Sequence, residues 1–286
     1  MQAQSLSQTP NSTDINVRKR ENELPTPPQN VGSPAIFILD NASLKVGLVG
    51  KNRKILCSVE DVKLLLKKKK NLNDYRPEII HEALKTILDS PLNKSGMVGV
   101  IYVKIDQGVA FEVNPCWRIP RSRERFCSVI MELLQKSLIR TEDTNEVLLR
   151  VVEEPTCHLP VNSHIVGLSY TAEKLVDIKK YVAVWSNDLF PVLMVGAMVN
   201  EKVKKDPVHD YISVSEYPLG TDTCLGMILE AIEQKWEIYY NAVEAIIEDT
   251  NGEIRNCELV LKARFRSEAW TLLQWLQRQH FLCVLI

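Results

Sequence analysis

The chain has 286 residues, of which 45% are hydrophobic and 25% are charged, and its 35 Lys and Arg residues are balanced by 36 Asp and Glu residues. These values are typical of a globular protein with one large domain or two small ones. The net charge of -1 excludes attraction of the whole molecule to nucleic acid, so a polyanion would have to bind to a local cluster of basic side chains. The 11 glycines form neither a G-x-G-x-x-G motif nor a P-loop, which argues against both classical nucleotide sites.

The seven cysteines are widely spaced and form no C-x-x-C pair, and the five histidines do not lie near them in a metal-ligand pattern. We therefore expect reduced thiols in a cytosolic or nuclear protein, and no metal site. The longest apolar run, 190–199, is about half the length that a membrane helix needs, so no membrane association is expected. The polar amino terminus does not resemble a signal peptide.

Residues 1–34 are rich in Gln, Ser, Thr, Asn and Pro and contain few large apolar side chains, so they are predicted to be a disordered polar tail. Within this tail, the basic triplet at 18–20 could serve nuclear import or could simply be solvated. From Ala35 the pattern changes to an apolar run, which is typical of a buried strand and marks the start of a domain over residues 35–238.

Along this domain, helices and strands are predicted to alternate. A cationic run at 67–70 precedes a helix that opens with Pro77 at its first turn and ends near 89–91. Further helices are predicted at 123–140, 172–180 and 223–236. Strands are predicted at 98–105, 109–113, 148–152, 181–185, 192–198 and 211–214, the first two as a hairpin around Asp106-Gln107-Gly108. Such alternation indicates an α/β domain with a mainly parallel sheet.

Four arginines are candidates for phosphate binding. At 100° per residue, Arg121 and Arg125 are neighbours on one flank of a predicted helix, and Arg118 precedes them. Because guanidinium groups bind phosphate bidentately and stay charged, these three could form a phosphate-binding surface; a solvated, ion-paired helix start is the alternative. Arg76 lies two residues before Glu78, which could hold its side chain in place; an ordinary structural ion pair is the alternative there.

Two segments, 195–198 and 214–219, place turn-forming residues just after predicted strands. In open α/β sheets, ligands bind at the carboxyl ends of the strands. The backbone of such loops could hold a nucleoside without a glycine-rich motif, although ordinary strand-to-loop transitions would give the same pattern.

Taken together, six motifs in order along the chain resemble the Nep/Emg family of ribosome-biogenesis methyltransferases. These are SPOUT-class enzymes that methylate N1 of a pseudouridine in small-subunit ribosomal RNA. The motifs are Arg76-Pro77-Glu78-Ile79 with His81, Leu88-Asp89-Ser90-Pro91-Leu92-Asn93-Lys94, Glu112-Val113-Asn114-Pro115, Arg118-Ile119-Pro120-Arg121 with Arg125-Phe126, Val195-Gly196-Ala197-Met198, and Tyr217-Pro218-Leu219.

The resemblance implies a SPOUT-type α/β domain with a C-terminal trefoil knot, S-adenosyl-L-methionine as the methyl donor, and a homodimer that binds RNA across its two subunits. It also implies small-subunit rRNA and ribosome assembly factors as partners, in the nucleus and specifically the nucleolus. The positions that contact the cofactor in the family correspond to Leu168, Gly196, Glu201, Val214, Ser215, Glu216, Tyr217, Pro218 and Leu219. The positions that contact RNA correspond to Arg76, Arg118, Arg121 and Arg125, with Glu78 in the place of an acid that orients Arg76. No side chain is assigned as the catalytic base.

Two residues depart from the family pattern. Glu201 stands where the family has a second glycine in its first knot loop, and Glu216 replaces the usual Asn of the second loop. A Cβ close to a bound ligand could obstruct it, or the Glu201 side chain could point to solvent. The leading hypothesis is therefore an active methyltransferase, and the alternative is a non-catalytic RNA-binding ribosome assembly factor with an impaired cofactor site.

Residues 239–286 lie beyond the usual end of the family and form an atypical C-terminal extension that closes on an apolar run. A packing helix, a partner-binding segment and a product of mis-spliced coding sequence are three open interpretations of this extension.

Overall fold

The computed structural model describes residues 32–142, 144–198 and 208–238. Most of the predicted tail, Glu201 and the predicted extension at 239–286 lie outside these residues. The strands are β1 (Ala35–Ala42), β2 (Val46–Val49), β3 (Asn52–Ile55), β4 (Val98–Ile105), β5 (Ala110–Val113), β6 (Leu138–Arg140), β7 (Val147–Val152), β8 (Ser163–Leu168), β9 (Lys174–Leu175), β10 (Phe190–Gly196) and β11 (Asp210–Ser213). The α-helices are α1 (Val62–Lys67), α2 (Pro77–Leu88), α3 (Pro91–Lys94), α4 (Arg123–Lys136), α5 (Ile178–Ala183) and α6 (Thr221–Lys235), and short 3-10 turns lie at Leu72–Asp74 and Pro155–His158.

Nine of the strands form one sheet in the order β6-β7-β5-β4-β1-β10-β8-β11-β9. The six strands from β4 to β9 in this order are parallel, and β5, β7 and β6 add an antiparallel part at one edge. The mainly parallel α/β sheet predicted from the sequence is therefore confirmed. β1 lies between β4 and β10 with both faces covered, which explains why its sequence is continuously apolar rather than alternating.

The two faces of the sheet have separate cores. Phe37 and Leu39 of β1 point to the main core, which includes buried residues of α2, α4, α5 and α6. Ile36 and Ile38 point the other way and pack with Tyr102 and with neighbouring strand residues in a smaller core. This division follows from the two-residue period of a strand, whose successive side chains lie on opposite faces.

Several predicted elements are confirmed with small shifts of their ends. The hairpin of β4 and β5 is antiparallel, and Gly108 has the φ of +87° that its turn requires. Helix α2 begins at Pro77 and ends at Leu88, as predicted. Helix α4 is shorter than predicted, because Ser137 adopts a left-handed conformation with φ of 62° and the chain then enters β6.

The prediction of a helix at 172–180 and a strand at 181–185 is wrong. Residues 174–175 form β9, and the helix begins only at Ile178, where the side chain of Asp177 accepts hydrogen bonds from the backbone of Lys179 and Lys180. Ile178 and Val182 are the buried side chains of α5, and their spacing of four residues is that of a helix. Strand β8 was missed altogether, because its first two residues are polar and half-buried.

Residues 45–76 form a small unit beside the main sheet, called here the basic unit. It consists of the antiparallel pair β2 and β3, helix α1 and a 3-10 turn. Its own core contains Leu56, Leu65 and Tyr75. The sequence analysis predicted none of its elements and noted only its cationic run and Arg76, since each element is only three to six residues long. No helix within the described ranges is long and apolar enough to cross a membrane.

Candidate functional site

Three of the predicted cofactor segments meet at the carboxyl ends of adjacent strands. In β8, Leu168 is paired with Val195 of β10 on one side and with Ile212 of β11 on the other. Gly196 follows at the end of β10, opposite Asp40 of β1. The tertiary structure thus brings together segments about 20 to 50 residues apart in the chain, at the edge where α/β sheets bind ligands.

The loop that follows β11 is held by hydrogen bonds of its own serines. The hydroxyl of Ser213 donates to the carbonyl of Ser215 at 2.6 Å, and the backbone N–H of Tyr217 donates to the Ser215 hydroxyl at 3.1 Å. Val214 and Ser215 are half-buried, whereas the remaining predicted positions, Glu216, Tyr217, Pro218 and Leu219, are exposed. The loop therefore has a fixed base and an accessible outer part.

Helix α6 returns from this loop to the end of β10. The hydroxyl of Thr221, in the first turn of α6, donates to the carbonyl of Gly196 at 2.8 Å. At the other end of α6, the buried carboxylate of Glu233 accepts a hydrogen bond from the backbone N–H of Leu92 at 3.0 Å. Sequence analysis missed both residues. For Glu233 the available signal was its position inside the apolar pattern of the predicted helix at 223–236, whereas Thr221 precedes that pattern.

Of the two departures from the family pattern, only one can be located. The carboxylate-bearing residue Glu216 is exposed in the loop after β11. Glu201 lies outside the described residues.

Arg76 and Glu78 are in contact at the start of α2. The Nε of Arg76 donates to Oε1 of Glu78, and the Arg76 side chain remains 37% exposed. The backbone N–H of Arg76 also donates to the hydroxyl of Ser43 at 3.3 Å. Glu78 thus lies where it can hold the guanidinium in one orientation while leaving part of it open.

The other three predicted RNA-contacting arginines are exposed around the start of α4. Arg118 and Arg121 lie on the loop from β5 to α4, and Arg125 lies in the first turn of that helix. Arg121 makes a bidentate ion pair with Asp89, with N–O distances of 2.6 and 3.1 Å, yet its side chain is 69% exposed. An exposed ion pair of this kind contributes little to stability, so the guanidinium remains available to a phosphate.

The loop carrying Arg118 and Arg121 is fastened to α2 and α3 by buried polar contacts. Nε2 of His81, in α2, lies 2.7 Å from the carbonyl oxygen of Pro120, and the His81 ring stacks on Phe126. The side-chain amide of Asn93 donates to the carbonyl of Pro115 at 3.0 Å. These contacts explain why the predicted motifs contain a histidine and an asparagine beside the arginines.

The end of β1 connects the strand-end loops with the arginines. The backbone carbonyl of Asp40 accepts a hydrogen bond from the N–H of Ala197 at 2.7 Å. Three residues later, the hydroxyl of Ser43 donates to the carbonyl of Asp74 and accepts from Arg76. Segment 40–43 is therefore bonded both to Ala197, next to Gly196, and to Arg76.

Burial disfavours the thiolate form of two of the described cysteines. The five cysteines that the structure describes are free thiols. Burial raises the pKa of Cys127 to about 11 and that of Cys224 to about 12, so neither forms a thiolate readily at neutral pH. The described part of the chain also contains no group of three or more His, Cys, Asp or Glu side chains placed to hold a metal ion.

Comparisons with known proteins agree with this geometry. Residues 37–233 match the model of the family described as EMG1/NEP1 methyltransferase. The ribosomal RNA small subunit methyltransferase NEP1 of Mus musculus is 35% identical over 72% of this chain and 84% of its own length. The corresponding NEP1 of Homo sapiens is 34% identical over the same shares, and that of Candida albicans is 37% identical over 70% of this chain and 76% of its own length.

A solved structure has the same fold. The crystal structure of Archaeoglobus fulgidus Nep1 bound to S-adenosylhomocysteine superposes with a TM-score of 0.56 and 17% sequence identity, over 72% of this chain and 99% of that chain. The family resemblance inferred from the motifs and the enzyme class are thereby confirmed.

Proposed function

We propose that this chain, which belongs to the EMG1/NEP1 methyltransferase family, transfers a methyl group from S-adenosyl-L-methionine to N1 of a pseudouridine in small-subunit rRNA. The observation that carries the proposal is that segment 40–43 is bonded both to Ala197, next to Gly196, and to Arg76. The strand-end loops beside Ala197 suit a nucleoside cofactor, and the arginines beginning at Arg76 suit a polyanionic substrate.

The cofactor would lie against the ends of β8, β10 and β11. We assign to it Leu168, Gly196, Glu201, Val214, Ser215, Glu216, Tyr217, Pro218 and Leu219. The described residues of this set fit such a group. Val214 offers a half-buried apolar side chain, and the backbone beside it is held by the hydrogen bond from the Ser213 hydroxyl to the Ser215 carbonyl. Gly196 adds no side chain at the end of its strand. When bound, the cofactor supplies a methyl group that its sulfonium already activates.

The protein must therefore mainly position the nucleotide. Arg76, Arg118, Arg121 and Arg125 would bind the phosphates that flank a flipped-out pseudouridine and align its N1 with the methyl group. Glu78 would orient Arg76, as their contact at the start of α2 supports. Because phosphates are bound by charge, RNA affinity should fall as salt rises.

The remaining features of the family belong to the same proposal. We infer a homodimer that binds RNA across both subunits, a trefoil knot in the C-terminal part, and work with ribosome assembly factors in the nucleolus. The return of α6 from the outer strand β11 to the end of the inner strand β10, through Thr221 and Gly196, supports a knotted path. The names of the relatives support a role in maturation of the small subunit in the nucleus.

Calorimetric titration of the full chain with S-adenosylhomocysteine tests the cofactor site. We expect saturable binding of one ligand per chain, and the same affinity in an Arg118→Ala control. Arg118 belongs to the group Arg76, Arg118, Arg121 and Arg125, called here the arginine surface. Absence of binding at millimolar ligand would remove the methyltransferase proposal and leave the non-catalytic RNA-binding assembly factor. In that case Glu201→Gly should create binding if Glu201 is the obstruction.

Base specificity is tested in the same preparation with two RNA oligonucleotides. One contains pseudouridine and the other N1-methylpseudouridine at the same position. Methyl transfer from the labelled donor to the first alone would support the N1 assignment, and equal labelling of both would contradict it.

A further inference from the structure

The basic unit, residues 45–76, carries a charge that the arginine surface does not account for. Apart from Arg76, which belongs to that surface, it contains nine Lys and Arg residues against three Asp and Glu residues, a net charge of +6 in a chain whose total is -1. Such a local excess produces a positive potential that the rest of the molecule does not share. It is also where the sequence analysis found the cationic run at 67–70.

The three acids of this unit are already paired. Asp61 lies 2.8 Å from the ammonium of Lys54, and Asp74 lies 3.7 Å from that of Lys45. Glu60 pairs with Lys54 and with Arg123 of α4. The positive charges without an ion-pair partner among the described residues are those of Lys51, Arg53, Lys63, Lys67, Lys68, Lys69 and Lys70, all of them exposed. The excess charge is therefore presented to solvent.

The basic unit that carries this charge has a folded core of its own, and "platform" below means this unit. Leu56 and Leu65 pack with buried Tyr75, and the N–H of Ser58 donates to the carbonyl of Tyr75 at 2.7 Å. Lys67 ends α1, and Lys68 follows at its C-cap, where positive charge is favourable to the helix. That effect accounts for one or two lysines at a helix end, but not for Lys70 or for the charges on β3.

The platform is joined to the arginine surface. Strand β3 packs against α4. The carboxylate of Glu60 pairs with Arg123, which lies between Arg121 and Arg125 in sequence. A strand of RNA that reaches the exposed arginines would therefore lie beside a second positive surface held by the same helix.

We propose that the exposed lysines of the basic unit form a second RNA-binding surface, which takes the backbone phosphates of the rRNA flanking the methylated nucleotide. This inference rests on the proposed function. The surface offers lysine ammonium groups, which act as point charges and read no base, so it would add affinity and salt dependence without sequence preference. A run of lysines can also be bound by a nuclear import receptor. Here the run lies in a folded unit next to other candidate phosphate-binding residues, which favours RNA.

The test is a binding titration of the full chain with a labelled small-subunit rRNA transcript over a range of salt concentrations. The variant is Lys67→Gln/Lys68→Gln/Lys70→Gln; Lys69 is left unchanged because its φ is 51°. Lys136→Gln/Lys179→Gln/Lys180→Gln is the matched control, since it removes the same charge from exposed, ion-paired lysines elsewhere. Arg121→Ala/Arg125→Ala is the benchmark for the arginine surface.

For the lysine variant we expect about tenfold weaker binding near 0.1 M salt and a log K against log salt slope that is shallower by about 2. Affinity for S-adenosylhomocysteine should not change.

A lysine variant that binds RNA like its control would overturn the inference. If that variant also lost nuclear accumulation in cells, the lysine run would be assigned to nuclear import. If the arginine variant loses binding and the lysine variant does not, the proposed function stands without this surface. If the wild-type chain binds no rRNA, both fail.

Discussion

One buried histidine joins the helix that carries Arg76 to the loop that carries Arg118. His81 is 2% exposed, stacks on Phe126 with ring centroids 4.7 Å apart, and lies 2.7 Å from the carbonyl oxygen of Pro120. Because a carbonyl can only accept, Nε2 must carry the proton and donate it. His81 therefore fixes part of the arginine surface without itself facing solvent.

His81→Phe should keep the ring stack but leave the Pro120 carbonyl without its donor. We expect a loss of about 0.5 to 1.5 kcal/mol in the free energy of unfolding, measured in urea, because that is what a hydrogen bond to a half-buried carbonyl contributes. RNA affinity should fall as well, since the loop loses its attachment. His81→Gln, which can still donate, should lose less, and an unchanged unfolding midpoint in His81→Phe would contradict the role given to this hydrogen bond.

At the scale of elements, helix α6 connects the end of β10 with α3. Its first turn is bonded to the end of β10 through Thr221, and its last turn is bonded to α3 through Glu233. Most of its buried residues lie between these two contacts and pack in the main core. The position of the loop before α6 is thereby set relative to Gly196.

Thr221→Val should remove the hydrogen bond to Gly196 with little change in side-chain volume. We expect S-adenosylhomocysteine to bind about two- to tenfold more weakly, as the loss of one hydrogen bond worth about 0.5 to 1.5 kcal/mol predicts. RNA affinity should be unaffected, because the four arginines lie at the starts of α2 and α4 and on the loop before α4. Calorimetry of Thr221→Val beside Thr221→Ser, which keeps the hydroxyl, checks this; equal affinities in the two variants would argue against it.

At the scale of the whole molecule, the parallel part of the sheet depends on β8, which lies between β10 and β11. Its start carries His164, whose ring stacks with that of His209, and the N–H of Ile165 donates to Nδ1 of His209 at 3.0 Å. Burial, and then the neighbouring His209, lowers the pKa of His164 below its ordinary value of 6.5. Asp210 favours the charged form and Lys174 opposes it.

This shift makes the stability of the fold depend on pH. The folded chain binds a proton at His164 less readily than the unfolded chain. The contribution of neutral His164 to the stability of the fold is therefore present above pH 6.5 and is lost as the pH falls below it. We expect the free energy of unfolding in urea to decrease between about pH 7.5 and pH 5.5. The decrease should be smaller in His164→Gln; equal pH dependence in both proteins would exclude this histidine as the cause.

Periodicity predicted the elements whose pattern is local. Helix α2 was bounded by Pro77 and by the turn at Asp89, and the hairpin of β4 and β5 was marked by Gly108, so each could be located from neighbouring residues. The prediction of a helix followed by a strand at 172–185 was wrong. This segment contains a two-residue strand and a six-residue helix capped by Asp177, and both are too short to show a clear hydrophobic periodicity. Strand β8 was missed because its first two residues, Ser163 and His164, are polar and half-buried and leave only a short apolar run.

The sequence by itself determined the family, the candidate arginines and the residues of the strand-end loops, since these are carried by motifs that are short and contiguous. Only the tertiary structure decided which of them meet, because that depends on contacts between residues far apart in the chain. The register of β8 between β10 and β11, the bond from Thr221 to Gly196, and the pairing of Glu60 with Arg123 are such contacts. Net charge behaves in the same way: the total of -1 follows from composition, but the positive surface follows from how folding pairs the acids and leaves the lysines in solvent.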